Sequence, residues 1–144
     1  MTLVHATCVV MDGAGVLLRG PPGSGKSDLA LRLIDGGAAL VADDQVSLTP
    51  EDGRLIARPP DTIAGRMEVR GVGIETVAAV ERATVALVID LVPPDQVDRL
   101  PAPACCRLLG VSLPRFALAP FEASAPAKVR VAVRAATRDG NVSK

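Results

Sequence analysis

Residues 20–27 form the pattern that most constrains what this chain can fold into. They read Gly20-Pro21-Pro22-Gly23-Ser24-Gly25-Lys26-Ser27, a complete match to the phosphate-loop pattern G-x-x-x-x-G-K-[ST]. The apolar run Val16–Leu18 precedes the loop, and apolar residues at helical spacing follow it as far as Ile34. Backbone N–H groups of a glycine-rich loop between a strand and a helix can surround a phosphate. The pattern therefore predicts an α/β domain that binds a nucleotide.

Two side chains of the loop have predicted roles of their own. Lys26 is the first lysine of the chain, and the next is Lys128. We expect its ammonium group to bind the β- and γ-phosphates of ATP, and the Ser27 hydroxyl to bind Mg²⁺. The alternative is a glycine- and serine-rich turn that only connects a strand to a helix.

Length and composition exclude several classes of protein. The 144 residues suffice for one domain, residues 1–144. Lys plus Arg and Asp plus Glu number 16 each, so charge gives no attraction to nucleic acid or anionic lipid. The chain has no Trp, no Tyr and 2 Phe residues, too few aromatic side chains for an RNA-binding platform. No apolar run is long enough to span a bilayer, and the N-terminus lacks the basic region of a signal peptide.

The cysteines and the histidine also carry information about location and metal binding. Cys8, Cys105 and Cys106 lack the spacing of a metal site or a disulfide pair, so we expect small buried apolar residues in a reducing compartment. His5 is the one histidine, which argues against a zinc site. A cytoplasmic protein that binds neither nucleic acid nor membranes is expected.

Phosphoryl transfer also needs a carboxylate at the end of a strand, to hold the metal or accept a proton. Asp43 and Asp44 follow the apolar run Ala38–Ala42. Asp90 closes the longer run Val85–Ile89, and from the pattern alone it is slightly favoured. The residues leave this choice open.

The remaining segments read mainly as strands. Thr84–Val92 is the most apolar run and predicts a central strand, whereas Asp61–Gly65 predicts a loop or one helical turn. Arg107–Leu109 and Phe116–Leu118 are weaker strand candidates, which Gly110 and Pro114 should divide. The tail after residue 126 fits two structures, because its alternating valines suit a strand and its apolar positions 129, 132, 133 and 136 suit one helical face.

Several stretches together resemble one family, the HPr kinase/phosphorylases, in their catalytic C-terminal domain. The most specific is Glu68-Val69-Arg70-Gly71-Val72-Gly73-Ile74, because phosphate-loop proteins in general lack it. The others are His5, the phosphate loop, residues 40–46 (Leu-Val-Ala-Asp-Asp-Gln-Val) and, more weakly, residues 110–115. Their order and spacing agree over residues 4–138. The chain resembles a short form of the family that consists of the catalytic domain alone.

This resemblance implies a fold and an activity. The fold is a single α/β P-loop domain with a mixed β-sheet and a helical tail, assembled into a hexamer. The activity is ATP- and Mg²⁺-dependent phosphorylation of a serine on HPr, a phosphocarrier of the sugar phosphotransferase system, or on its nitrogen-system counterpart. A reverse reaction is also implied, in which phosphate removes the phosphoryl group and pyrophosphate leaves.

The resemblance also assigns site residues and shifts the choice of carboxylate away from Asp90. Asp44, with Asp43 beside it, accepts the serine proton in the kinase direction and returns it in the reverse direction. Glu68 is a second Mg²⁺ ligand after Ser27. Arg99 corresponds to a further arginine of the site, and His5 is the neighbour that tunes the aspartate.

The chain departs from the family at one loop, and two other functions stay open. The family has a glycine- and arginine-containing loop near its C-terminus that serves dephosphorylation, and residues 119–128 contain neither residue type. The phosphorylase direction is therefore the less supported one. A small-molecule kinase is the second hypothesis, disfavoured because 144 residues leave little room for a lid. The third is an ATP-sensing module without turnover, disfavoured by the retained Lys26, Ser27, Asp43, Asp44 and Glu68.

Overall fold

The structure, a computed structural model, describes residues 1–60 and 64–142. The strands are β1 Thr2–Val4, β2 Thr7–Met11, β3 Ala14–Arg19, β4 Ala39–Ala42, β5 Val46–Glu51, β6 Arg54–Arg58, β7 Arg66–Val69, β8 Gly73–Thr76, β9 Ala83–Leu91, β10 Cys105–Leu108 and β11 Val111–Leu118. The helices are α1 Lys26–Asp35 and α2 Ala125–Val142, and a 3₁₀ turn covers Pro94–Gln96. Neither helix is long and apolar enough, over its described residues, to cross a membrane.

Within residues 1–60 and 64–142, nine strands form one mixed sheet, and this confirms the predicted fold class. Its order is β1-β5-β6-β9-β3-β2-β4, with β11 added to β9 and β10 added to β11. The strands β7 and β8 form a separate antiparallel hairpin. Between these elements, residues 61–63 lie outside the described part of the chain, so the expected loop or turn at Asp61–Gly65 lies largely outside it as well.

The apolar run that includes β9 lies in the middle of the sheet, as predicted. It pairs in parallel with β3 on one side, where Leu18 faces Ile89, and with β11 on the other, where Phe116 faces Ile89. The carboxyl ends of these three strands therefore meet at one edge. In open α/β sheets this edge is where ligands bind, and the phosphate loop leaves β3 there.

The sheet has an apolar core on each face. Along β3, Val16 and Leu18 point into a cluster that also contains both helices, whereas Leu17 points into a cluster with residues of β5 and β6. Leu29 and Leu33 bring α1 into the first cluster. Each fully buried leucine contributes about 1.5–3 kcal/mol of transfer free energy, so the two-sided burial fixes β3 and the loop that follows it.

The helix α1 begins and ends where the sequence predicts. Its N-cap is Gly25, and it ends at Gly36 and Gly37, whose N–H groups bond to carbonyl oxygens of its last turn. Gly37 has φ +113°, a left-handed conformation that a side chain disfavours. The loop is thus held between a buried strand and a well-terminated helix.

In the C-terminal half, the structure decides the conformation of the tail and the position of Pro114. The tail is a helix, α2, because Val129, Ala132 and Val133 are buried together on one face, which confirms the helical alternative. The expected division at Gly110 is confirmed, because Leu109 and Gly110 connect β10 to β11, whereas the expected break at Pro114 is wrong, because Pro114 lies inside β11. It is the last residue of β11 that pairs with β10, and Arg115 is the first that pairs with β9. A residue without an N–H group is tolerated at this change of partner.

The prediction that all three cysteines are buried is wrong in part. Cys8 is buried, and burial raises the pKa of its thiol to about 12 against a small opposing effect of a backbone hydrogen bond from Val16. Cys106 is half-buried and Cys105 is exposed, because β10 lies at the edge of the sheet. Edge position, which the sequence pattern does not reveal, explains the difference.

Candidate active site

The phosphate loop follows β3 directly and turns into α1. Gly23 and Gly25 have φ values of +80° and +102°, which L-residues with a side chain rarely adopt. A Cβ atom at Gly25 would also lie 2.9 Å from Cζ of Phe121. Glycine is therefore required at position 25 both by the backbone and by the close approach of a neighbouring ring.

Lys26 is folded onto the loop that precedes it. Its Nζ donates hydrogen bonds to the carbonyl oxygens of Gly20, at 2.7 Å, and Pro21, at 3.2 Å. The residue is 8% exposed, a low value for a lysine. The Lys26 ammonium group is therefore held beside the N–H groups at the start of α1, where an anion is favoured.

Asp43 joins the loop to the strand β4 through hydroxyl groups. The Ser27 hydroxyl donates to Oδ1 of Asp43 at 2.7 Å, and the Thr7 hydroxyl donates to the same oxygen at 3.1 Å. The Thr7 oxygen in turn accepts a hydrogen bond from the Asp44 N–H at 3.2 Å. One buried threonine therefore positions both aspartates.

Sequence reasoning missed Thr7, although one signal was available. Thr7 is fully buried, and it is the polar first residue of an otherwise apolar strand. Its neighbour Cys8 pairs with Ala42, so Thr7 lies at the end of β2 where β4 delivers the two aspartates. A buried hydroxyl needs a partner, and the adjoining strand end supplies it.

Asp44 has an uncommon backbone conformation and an exposed side chain. Its φ is +68°, in the left-handed region that aspartate tolerates better than most residues. This conformation ends β4 and turns the chain towards β5. Departures of this kind often occur at functional sites.

A cavity of about 540 Å³ brings most of the predicted residues together. Its lining includes the loop residues Lys26 and Ser27, both aspartates Asp43 and Asp44, and Glu68 of the hairpin strand β7. The other lining residues are Pro22, Gly23, Gly25, Asp28, Leu31, Val69, Arg70 and Phe121. The cavity thus brings together an ammonium group, an anion-binding loop, a hydroxyl group and three predicted carboxylates. This combination of groups suits phosphoryl transfer.

The oxygen donors of this cavity fit Mg²⁺ bound together with a nucleotide. Ser27 and Asp43 share a hydrogen bond, and Asp44 and Glu68 line the same space. In the described part of the chain no cluster of three or more His, Cys, Asp or Glu could hold a metal by itself. Mg²⁺ usually takes one or two carboxylates and completes its shell with water and substrate phosphates, so this donor set is adequate.

Asp90 does not line this cavity, and its carboxylate is occupied by two arginines. Arg19 binds it at 2.7 and 3.0 Å, and Arg115 binds Oδ2 at 2.5 Å. Burial raises the pKa of the Asp90 carboxyl, and the two guanidinium groups outweigh that effect, so the pKa is lowered overall. The arrangement is an ion-pair network that ties β3, β9 and β11 together.

Comparison with known proteins decides the family. The family model described as the HPr serine kinase C-terminal domain matches residues 1–138. The chain belongs to the HPr serine kinase family. Its fold matches the solved structure of the Hpr(Ser) kinase/phosphatase from Coxiella burnetii with a TM-score of 0.87 and 30% identity, over 98% of this chain and 99% of that chain.

Curated members of the HPr serine kinase family are also similar in sequence. The HPr kinase/phosphorylase of Geobacillus thermodenitrificans is 38% identical over 129 residues, which cover 81% of this chain and 42% of that protein. The HPr kinase/phosphorylase of Clostridium beijerinckii is 47% identical over 73 residues, 51% of this chain and 24% of that protein. The chain spans less than half the length of these two relatives.

Two residues that the family resemblance implicates lie apart from the cavity. His5 is exposed between β1 and β2, and the pairing of Val4 with Val46 brings it only to the Gln45 end of β5. Arg99 is exposed in the segment after the 3₁₀ turn. Neither lines the cavity, and neither has a hydrogen bond to Asp43 or Asp44 among the described contacts.

Proposed function

We propose that this chain is an ATP- and Mg²⁺-dependent kinase that phosphorylates a serine of an HPr-like phosphocarrier protein. The observation that carries the proposal is the joining of the phosphate loop to the Asp43–Asp44 pair by the Ser27 hydrogen bond, beside the Lys26 ammonium. The names of the curated relatives and of the Coxiella burnetii structure support the choice of acceptor.

The proposed mechanism divides the roles between the two aspartates. Asp43, already hydrogen-bonded to Ser27, belongs to the metal side with Ser27 and Glu68. Mg²⁺ held by these residues would supply positive charge to stabilise the transferring phosphoryl group. Lys26 and the N–H groups of the loop bind and neutralise the phosphate oxygens.

Asp44 is the proposed proton acceptor. Its exposed carboxylate can take a hydrogen bond from the acceptor serine and orient the hydroxyl oxygen for in-line attack. As the new bond between the serine oxygen and the γ-phosphorus forms and the bond to the leaving ADP breaks, the serine proton passes to the Asp44 carboxylate. In the reverse direction the protonated Asp44 returns the proton to the serine oxygen while phosphate takes the phosphoryl group and leaves as pyrophosphate.

Several further properties belong to the same proposal. The kinase direction is favoured, because residues 119–128 offer no arginine to bind an incoming phosphate. We infer one catalytic domain over residues 1–144, a cytoplasmic location and a homo-oligomer, a hexamer by resemblance. Light scattering of the purified chain tests the last point. We propose that His5 and Arg99 either contact the HPr-like acceptor protein or reach the cavity only when that acceptor is bound.

Intact-mass measurement of an HPr-like protein incubated with this chain, ATP and Mg²⁺ tests the activity. The expected result is one added phosphoryl group on a serine, lost in Asp44→Asn, whose amide cannot accept the proton. Asp52→Asn is the matched control, because Asp52 is also exposed with a left-handed φ of +52° but lies in the β5–β6 turn. Retained transfer in Asp44→Asn removes Asp44 from the mechanism.

The same experiment separates the kinase from an ATP-sensing module. Tight ATP binding with no transfer to the phosphocarrier favours the sensing module. Transfer to a small molecule with none to the protein favours a small-molecule kinase. Only transfer to the protein serine supports the proposal.

A further inference from the structure

A second cavity, of about 550 Å³, adjoins the phosphate loop on its other side. It is lined by three chain segments: the loop residues 21–24, the end of β9 with residues 92–94, and residues 119–122. Pro22, Gly23 and Phe121 line both this cavity and the one that contains Lys26 and the aspartates. The two cavities therefore meet at the loop and the Phe121 side chain.

The second cavity occupies a position typical of ligand sites in α/β proteins. Its lining segments follow the carboxyl ends of the parallel strands β3, β9 and β11. Ligands of such sheets bind outside these ends. A ligand whose phosphates lie in the loop can therefore extend over Phe121 into this cavity.

The walls of the second cavity are apolar and poor in hydrogen-bond donors. Of the twelve described residues that line it, only Ser24 and Glu122 carry polar side chains. Five are prolines, which lack a backbone N–H group: Pro21, Pro22, Pro93, Pro94 and Pro120. Such walls suit a flat, weakly polar group and offer little means of reading hydrogen-bonding edges.

Phe121 is exposed and yet held in place. The side chain is 69% exposed, the higher value of the two phenylalanines, and its ring lies over Gly25. The Arg32 guanidinium of α1 donates hydrogen bonds to the carbonyl oxygens of Pro120 and, at 3.3 Å, of Glu122. A third hydrogen bond, from Arg32 Nε to Asp28 at 3.1 Å, fixes the guanidinium itself. The backbone on both sides of the ring is thus tied to the helix that begins at the loop.

We propose that the second cavity binds the base of the nucleotide, which stacks on Phe121, and that Arg32 is the positioning residue that holds this ring. The proposal rests on the nucleotide binding of the proposed function. Exposed aromatic rings held rigidly are effective stacking partners, because little side-chain freedom is lost on binding. Since the walls present few donors, ATP and GTP are expected to bind with affinities within about 3-fold of each other.

Calorimetry of ATP and of inorganic tripolyphosphate, each with Mg²⁺, tests the base site. Phe121→Ala should weaken ATP binding about 5- to 150-fold, the range of base–aromatic stacking, and change tripolyphosphate binding less than about 2-fold. Val131→Ala is the matched control, because Val131 is an exposed apolar residue, 55% exposed, that lines neither cavity. It should leave both affinities unchanged.

A fluorescence readout gives independent support. The chain has no Trp and no Tyr, so Phe121→Trp introduces a sole tryptophan. Its emission should be quenched by ATP and GTP and not by tripolyphosphate. Arg32→Gln in the same background should lower the quenching and the ATP affinity while leaving tripolyphosphate affinity within about 2-fold, because it loosens the ring and not the loop.

The outcomes separate this proposal from the function on which it rests. If Phe121→Ala weakens both ligands equally, the ring acts by packing on the loop, and if it weakens neither, the ring has no part in binding; either result overturns the base site. If the wild-type chain binds neither ATP nor tripolyphosphate, the nucleotide-binding function fails and the base site fails with it. Binding of both with quenching by both alike overturns the base site alone.

Discussion

Replacement of Thr7 by valine tests whether one buried hydroxyl positions both aspartates. Valine has nearly the same shape, so Thr7→Val removes the bond to Asp43 Oδ1 and the acceptor of the Asp44 N–H without opening a cavity. Asp43 keeps its bond from Ser27, whereas the turn at Asp44 loses its side-chain support. We therefore expect the orientation of Asp44 to suffer more than nucleotide binding.

The expected magnitudes follow from these contacts. A hydrogen bond to a charged group contributes about 1.5–3 kcal/mol to stability, and the buried methyl group that valine adds returns up to about 0.8 kcal/mol. The net loss is about 1–2 kcal/mol, or a fall in Tm of roughly 3–6 °C for a chain of this length. A loosely held Asp44 should lower kcat about 10-fold, which is part of the rate enhancement of about 10²–10⁴ that general-base catalysis supplies. The KM for ATP should be nearly unchanged.

Thr7→Ser is the matched control for this prediction. It keeps the hydroxyl and loses a methyl group from a buried position, so its stability should fall by about 1 kcal/mol, close to that of Thr7→Val. Thermal unfolding and phosphoryl transfer to an HPr-like acceptor are measured for both variants. Equal kcat values for valine and serine at position 7 refute the positioning role of the hydroxyl.

The other predictions concern the ion-pair network and the loop lysine. Asp90→Asn should lower the free energy of unfolding by about 1–3 kcal/mol. This is less than the loss expected from breaking a fully buried ion pair, because both arginines are about one-third exposed. Glu51→Gln removes a surface ion pair and should change the free energy of unfolding, measured in urea, by less than about 0.5 kcal/mol. Because the folded-state pKa of Asp90 is lowered, the stabilisation is present above the unfolded pKa of about 3.9 and is lost as the pH falls through the folded value. The stability gap between wild type and Asp90→Asn should therefore narrow below about pH 4, and a constant gap down to pH 2 contradicts this reasoning. Lys26→Met should weaken ATP and tripolyphosphate alike, by roughly 10-fold or more in calorimetry, since one charge-assisted bond is lost to either ligand.

Local patterns in the sequence predicted the part of the molecule that local interactions determine. The glycines of the loop and the apolar spacing after Ser27 predicted α1 and its start, and the β-branched run through Val88 predicted the central strand. The tail did not follow from periodicity, because its valines fit two structures. The resemblance favoured a helix, and packing of Val129 and Val133 against the sheet shows why it forms.

The remaining features depend on contacts between distant segments. Asp90 looks like a metal ligand from its strand-end position, and only the approach of Arg19 and Arg115 shows that its carboxylate is already bound. In the same way, Thr7 acquires its role from β4, and Phe121 is held by Arg32, which bonds to the Glu122 carbonyl oxygen across 90 positions of the chain. Pairings at such separations leave no periodic trace in the sequence.

The parallel pairing of β3 with β9 has a consequence for synthesis on the ribosome. Gly15 pairs with Val85, and the ring that covers the loop arrives only with residue 121. When the phosphate loop of a nascent chain has just left the ribosome, neither β9, which pairs with β3, nor Phe121, which covers the loop, is available yet. Nucleotide capture should therefore begin only after residue 121 has left the ribosome. A binding-competent phosphate loop then reports that the segments from β2 to Phe121 have assembled, and nucleotide should protect the chain from proteolysis only after that point.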